Sequence, residues 1–143
     1  MNRATRIPRG LSAGLLLLAV AALPTTVAAQ SDLDSSQATA FLGNWDVAIE
    51  SEFGPFSMDL VIQDQGGKVA ASIGSPDMGP GMQEITTITR EDEVLRLKWS
   101  ADAQGQMIEI TIDLFPTADG LAVALDGADG MFVASGTATR ASS

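Results

Sequence analysis

From Gly43 onward, oily and polar side chains alternate with a period of two, and this constrains the fold more than any other feature of the chain. Trp45, Val47 and Ile49 alternate with Asp46 and Glu50, and Phe56, Met58, Leu60 and Ile62 with Ser57, Asp59 and Gln63. Val69, Ala71 and Ile73 follow. Leu95, Leu97 and Trp99 oppose Val94, Arg96 and Lys98, while Ile108, Ile110, Ile112 and Leu114 oppose Glu109, Thr111 and Asp113. Leu121, Val123 and Leu125 continue the pattern. Successive side chains of a strand point to opposite faces, whereas a helix buries every third or fourth residue, so these segments read as half-buried strands. Glu84 to Thr89 and Met131 to Thr137 have strand composition but weaker alternation, and the face of the former stays open.

Turn residues separate the segments: Phe53-Gly54-Pro55, Asp64-Gln65-Gly66-Gly67, Glu91-Asp92-Glu93, Asp102 to Gly105, Pro116 to Gly120 and Asp126 to Gly130. Such short connections join sequential strands as antiparallel hairpins. Eight meandering strands leave two unpaired edges, and closing the sheet removes both. The expected fold is therefore all-β, an eight-stranded antiparallel up-and-down barrel, favoured over an open sandwich of two sheets. Its inward rows carry no charge; their only polar side-chain atoms are the indole N–H groups of Trp45 and Trp99. An unpaired carboxylate there would cost several kcal/mol. The interior is dry and almost without reactive groups.

The residues before Gly43 divide into two parts. Arg3, Arg6 and Arg9 precede an apolar run from Leu11 to Ala22, and small residues lead to Val27-Ala28-Ala29-Gln30. This is the layout of a secretory signal peptide over residues 1–29, with cleavage expected after Ala29. The apolar run is too short for a span of about 20 residues, no Cys follows it for lipidation, and no Arg-Arg pair is present. The leader has a bacterial character, so the protein is expected in the periplasm or the medium, with no stable membrane insertion after cleavage. Residues 30–40 are polar and read as a flexible arm, in which Asp34 or Ser35 could start one helical turn reaching Phe41. Residues 41–140 form the barrel domain.

Charge and missing residue types exclude whole chemistries. The chain has no Cys, no His and no Tyr, so disulfides, Cys/His zinc sites and His-dependent catalytic triads are impossible. The net charge is −10, and three of the eight basic residues sit in the leader while all 18 acids lie beyond it. So acidic a domain repels phosphate backbones, which excludes nucleic acid as an expected partner. Asp119, Asp126 and Asp129 lack the spacing of a calcium loop and suit turns better. Met78 and Met82, in the longest loop, could offer thioethers to Cu(I), but two Met without His or Cys suit an apolar flap better. Asp46, Glu50, Asp59, Glu109 and Asp113 all fall on the polar face, so a solvated surface is preferred to a glycosidase pair. No cofactor, metal or enzymatic activity is expected.

Phe41-Leu42-Gly43-Asn44-Trp45 resembles the G-x-W opening of the calycin barrels, the lipocalins and fatty-acid-binding proteins. In those families the Trp closes the barrel floor and a late Arg often packs across it. The resemblance implies structural roles for Gly43, Trp45 and Arg140, with a cation–π contact of roughly 0.5–1 kcal/mol between the last two. The chain is also similar to the small Gly-Trp barrel modules of exported bacterial proteins. The Arg-Tyr arrangement that holds a fatty-acid carboxylate has no counterpart here, because tyrosine is absent.

Two functions follow as expectations for a monomeric barrel. The first is binding of a small apolar molecule, with Trp45, Phe56, Met58, Met78, Met82, Leu97, Trp99 and Ile110 as candidate ligand-contacting residues. The alternative is recognition of an exported protein partner through the polar arm. Secreted bacterial metalloprotease inhibitors are similar in this plan, though they usually carry a disulfide.

Overall fold

The computed structural model describes residues 31–76, 80–85 and 87–142. The signal peptide read over residues 1–29, and Met78, lie outside the described residues. The described residues form nine strands: β1 (Gly43–Ser51), β2 (Gly54–Gln65), β3 (Lys68–Gly74), β4 (Gln83–Ile85), β5 (Thr87–Glu91), β6 (Val94–Ala103), β7 (Gln106–Pro116), β8 (Leu121–Gly127) and β9 (Phe132–Arg140). They form one antiparallel sheet ordered β4-β3-β2-β1-β9-β8-β7-β6-β5. Sequence neighbours pair throughout except β4 and β5, which are the two edges of the sheet, and β1 pairs with β9. The sheet curls into a nearly closed up-and-down barrel.

Parity holds along the wall except in β3, where Val69, Ala70 and Ala71 are all buried. Val47, Ile49, Leu60, Ile62, Leu95, Leu97, Ile112 and Leu114 are buried, while Asp46, Ala48, Asp59 and Ser100 between them are exposed. Each fully buried aliphatic side chain contributes about 1.5–3 kcal/mol. The outer face carries cross-strand ion pairs: Arg96 Nε donates to Asp113 Oδ1 at 2.7 Å, and Lys98 Nζ meets Glu109 at 2.9 Å. The hydrogen bond to Asp113, with the charges of Asp113 and Glu91, raises the Arg96 guanidinium above its ordinary pKa.

The single strand expected over Glu84 to Thr89 is corrected to two. Ile85 and Ile88 are both buried. Three positions apart, they would face opposite sides of one continuous strand. The chain instead changes partner between them: Ile85 pairs with Ala71 of β3, and Ile88 with Leu97 of β6. This corner brings the two ends of the sheet together. Gln83 Nε2 also donates to the Ser100 carbonyl at 2.7 Å, tying β4 to β6.

The arm expected to be flexible is docked. Ser31 N donates to Val69 O at 3.0 Å, Val69 N to Leu33 O at 2.9 Å, and Ser35 N to Gly67 O at 2.9 Å. These bonds extend pairing along the β3 edge below the point where β4 stops. One 3-10 turn, Ser35–Gln37, then carries the chain under the barrel. Ala38 and Phe41 are fully buried there, and Arg90 of β5 donates to Gln37 O and lies 5.9 Å from the Phe41 ring centroid. The polar composition concealed this because main-chain groups, two buried serines and the exposed Lys68–Asp34 ion pair at 2.6 Å make the polar contacts. Ser31 Oγ donates to Val69 O at 2.8 Å, and Ser35 Oγ to Asp64 Oδ2 at 2.9 Å. Ser31→Ala is therefore expected to lower stability by about 1 kcal/mol, read as a lower thermal midpoint, where a free arm would give no change.

Candidate functional site

The two ends of the barrel differ. At the floor, Trp45 is 3% exposed, its Nε1 donates to Phe41 O at 2.8 Å, and Arg140 lies 4.4 Å over its ring. Arg140 also donates to Leu42 O at 2.8 Å, beside a residue whose backbone favours glycine: Gly43 has φ +134°, and a Cβ there would push the Arg140 guanidinium aside. The structural roles expected of Gly43, Trp45 and Arg140 therefore interlock as one cap. Trp45 fills the core and takes no part in the cavity at the other end.

The turns between β1 and β2, β6 and β7, and β8 and β9 surround the opposite mouth. Register builds the inner wall there: Trp99 pairs with Ile110, Ile110 with Gly127, and Gly127 with Phe132. Gly127 continues the inward row of Leu121, Val123 and Leu125 but has no side chain. The missing volume leaves a cavity of about 220 Å³, walled by this row together with Phe56, Met58, Ile108, Leu125 and Ala128. The surface that lines it is apolar. Phe56, Met58 and Phe132 also border a wider cleft of about 440 Å³, which runs out past Phe53 and Ser75. Phe53 stacks on Phe132 at 6.0 Å between centroids, linking two of the mouth turns.

The structure thus brings together four of the sequence-derived ligand contacts: Phe56, Met58, Trp99 and Ile110. Leu97 is fully buried among core side chains and does not line the cavity. Met82 is 45% exposed beside Ile73 and Gln83, away from the cavity, with its Sδ against Gly74. Sequence reading missed Phe132, Ile108, Leu125, Gly127 and Ala128. Extending the β8 parity by one step to Gly127 would have shown an inward position with nothing to fill it.

One polar atom stands out. Trp99 is 3% exposed, yet its Nε1 is the one buried side-chain nitrogen or oxygen without a hydrogen-bond partner among the described residues. A buried donor left unpaired costs about 1–3 kcal/mol. The acidic turn residues, by contrast, have local work. Asp126 Oδ1 accepts from Gly130 N at 3.0 Å, Asp102 Oδ1 from Gly105 N at 2.9 Å, and Asp64 Oδ1 from Gly67 N at 2.7 Å. Among the described residues no cluster of three or more His, Cys, Asp or Glu is placed to hold a metal ion.

No protein-family model matches this chain, and no curated protein is similar to it in sequence. Among solved structures it is similar to a "secretary abundant heat soluble (SAHS) protein" from Ramazzottius varieornatus. The identity is 13% and the TM-score 0.43, over 71% of this chain and 96% of that one.

Proposed function

We propose that this chain is an exported, non-enzymatic barrel that binds a small apolar molecule in the cavity at its mouth. The observation that carries the reading is the 220 Å³ space over Gly127, lined by apolar surface at the end of the barrel opposite the Trp45 floor. An apolar cavity of about 150 Å³ stays dry and holds benzene, so this one suits about nine non-hydrogen atoms. The outer cleft past Phe53 supplies an entry route. The basic and apolar leader supports export.

Native mass spectrometry of protein purified from its host is expected to show bound mass. Ligand at a hundredfold excess over Kd is expected to add about 2.7 kcal/mol of stability. Gly127→Val should remove both signals while the barrel stays folded, because a Cβ at Gly127 meets only ordinary contacts with Phe132, at 3.7 and 3.9 Å. Ligand-free protein whose melting temperature no apolar probe raises would overturn the reading.

A second reading, recognition of an exported protein, is favoured by the rim. Phe53, Met107 and Met131 are 82%, 65% and 86% exposed, all in or beside turns at the mouth. Clustered exposed apolar side chains mark interaction surfaces. On that reading, changing Phe53 and Met131 together to serine abolishes partner capture, whereas Gly127→Val leaves it intact.

A further inference from the structure

We infer that the rim of the mouth docks a basic amphipathic segment of a partner protein, with apolar side chains set on Phe53, Met107 and Met131 and Lys or Arg side chains on the carboxylates between them; this rests on the protein-recognition reading above. Six large apolar side chains are exposed among the described residues, and four of them, Phe53, Met107, Met131 and Val133, belong to the mouth. Single exposed apolar residues are ordinary, but a group of them marks a contact surface. Register interleaves this group with acids: Met107 pairs with Asp102, and Val133 with Asp126. Directly paired side chains lie on one face of the sheet, about 4.5–5.5 Å apart. Glu52 precedes Phe53, and Asp129 lies just before Met131 in the next turn. Asp102 and Asp126 each spend one oxygen on closing a turn, which holds their charge in place.

The same rim has no cation. Beyond the leader the chain has five basic residues, and none falls in the three mouth turns. Lys68, Arg90 and Arg140 lie at the floor end, where they meet Asp34, the Gln37 carbonyl and the Trp45 ring. Arg96 and Lys98 are taken by Glu91, Asp113 and Glu109 on the outer wall of β5 to β7. Among the described residues no ion pair reaches Glu50, Glu52, Asp102, Asp126 or Asp129. Charge complementarity therefore selects the occupant. A second copy docked mouth to mouth would press these carboxylates against one another, and an anionic membrane surface is repelled in the same way. A basic segment gains the ionic and the apolar contacts together. Two of the three apolar anchors are Met, whose unbranched side chains adapt to varied partner shapes.

Three synthetic peptides of about 14 residues test this: an amphipathic Leu/Lys peptide, its Lys-acetylated neutral form and the Leu/Glu counterpart. In calorimetric titration at about 0.15 M salt, the Leu/Lys peptide is expected to bind, the acetylated form about tenfold more weakly or worse, and the Leu/Glu peptide not at all. Phe53→Ser with Met131→Ser should abolish Leu/Lys binding. Joint Glu50→Gln, Glu52→Gln and Asp129→Asn should weaken it about tenfold, because exposed ion pairs are individually weak and count only together. Asn tolerates the φ of +56° at residue 129, so the turn survives. Joint Asp46→Asn, Asp59→Asn and Glu84→Gln removes as many charges from the outer wall and should change affinity by less than about twofold. On the wild-type protein, which needs no variant to fold, amide NMR shifts should concentrate in the three mouth turns. Equal losses from rim and wall neutralisation, or shifts spread along the wall, would mean attraction to net charge alone and overturn the inference. An acetylated peptide that binds as tightly as Leu/Lys, with both lost in the Phe53 and Met131 variant, overturns the basic partner and leaves protein recognition standing. Failure of wild type to bind any of the three overturns both.

Discussion

Trp45→Ala is expected to lower the unfolding free energy by about 3–5 kcal/mol, the range for removing a large buried aromatic ring. Three contributions are lost together. The ring is 3% exposed and packs within the core of the floor. Its Nε1 leaves Phe41 O without its donor, and Arg140 loses the face it covers at 4.4 Å. Because Phe41 ends the docked N-terminal segment, the loss should also loosen residues 31–41. Total stability of a domain this size is about 5–15 kcal/mol, so poor expression is expected as well. Urea titration of Trp45→Ala beside Arg140→Met separates the terms: the latter should cost only about 1–2 kcal/mol, for the cation–π contact and the exposed hydrogen bond to Leu42 O together. A cost near zero for Trp45→Ala would show that the floor is not held by this residue.

The period-two pattern made the barrel legible because one-sided burial is a local property of a strand. Leu97 and Ile112 read as inward from their neighbours alone, and both are fully buried. The cap was legible for a different reason: Gly43, Trp45 and Arg140 stand where the resemblance to the calycin barrels puts a G-x-W opening and a late Arg. Features that depend on distant main-chain contacts were hidden. The corner between Ile85 and Ile88 is a change of partner, visible only as a break in alternation. Docking of Ser31 to Ser35 uses backbone groups of Val69 and Gly67, which carry no signal in side-chain type. The cavity was half legible. Phe56, Met58, Trp99 and Ile110 were identified by their inward positions, but the volume between them comes from Gly127, where the eye ends the strand and sees a turn. An absent side chain leaves no hydrophobic mark.

Glycines at two inward positions of adjoining strands should respond in opposite ways to one substitution, and the second large effect lies there. Gly136 of β9 faces Ile49 of β1 on one side and Val123 of β8 on the other. A Cβ at Gly136 would collide with the Ala48 carbonyl oxygen, and would lie only 2.8 Å from the Ala48 carbonyl carbon and 2.9 Å from Ile49 Cα. These are backbone atoms of the β1–β9 seam, the pairing that joins the first and last strands of the barrel. Flexible side chains could move aside; this backbone can yield only by opening the ladder between Trp45↔Arg140 and Glu50↔Ser135. Gly136→Val is expected to cost about 3 kcal/mol, the upper part of the usual overpacking range, with hydrogen exchange rising first along β1 and β9. Gly127→Val, whose new atoms enter an empty cavity, should change stability by less than about 1 kcal/mol. Comparable losses at both sites in chemical denaturation would mean that the space over Gly127 is already filled. A neutral Gly136→Val would mean that the seam lies farther apart than the register of β1 and β9 requires.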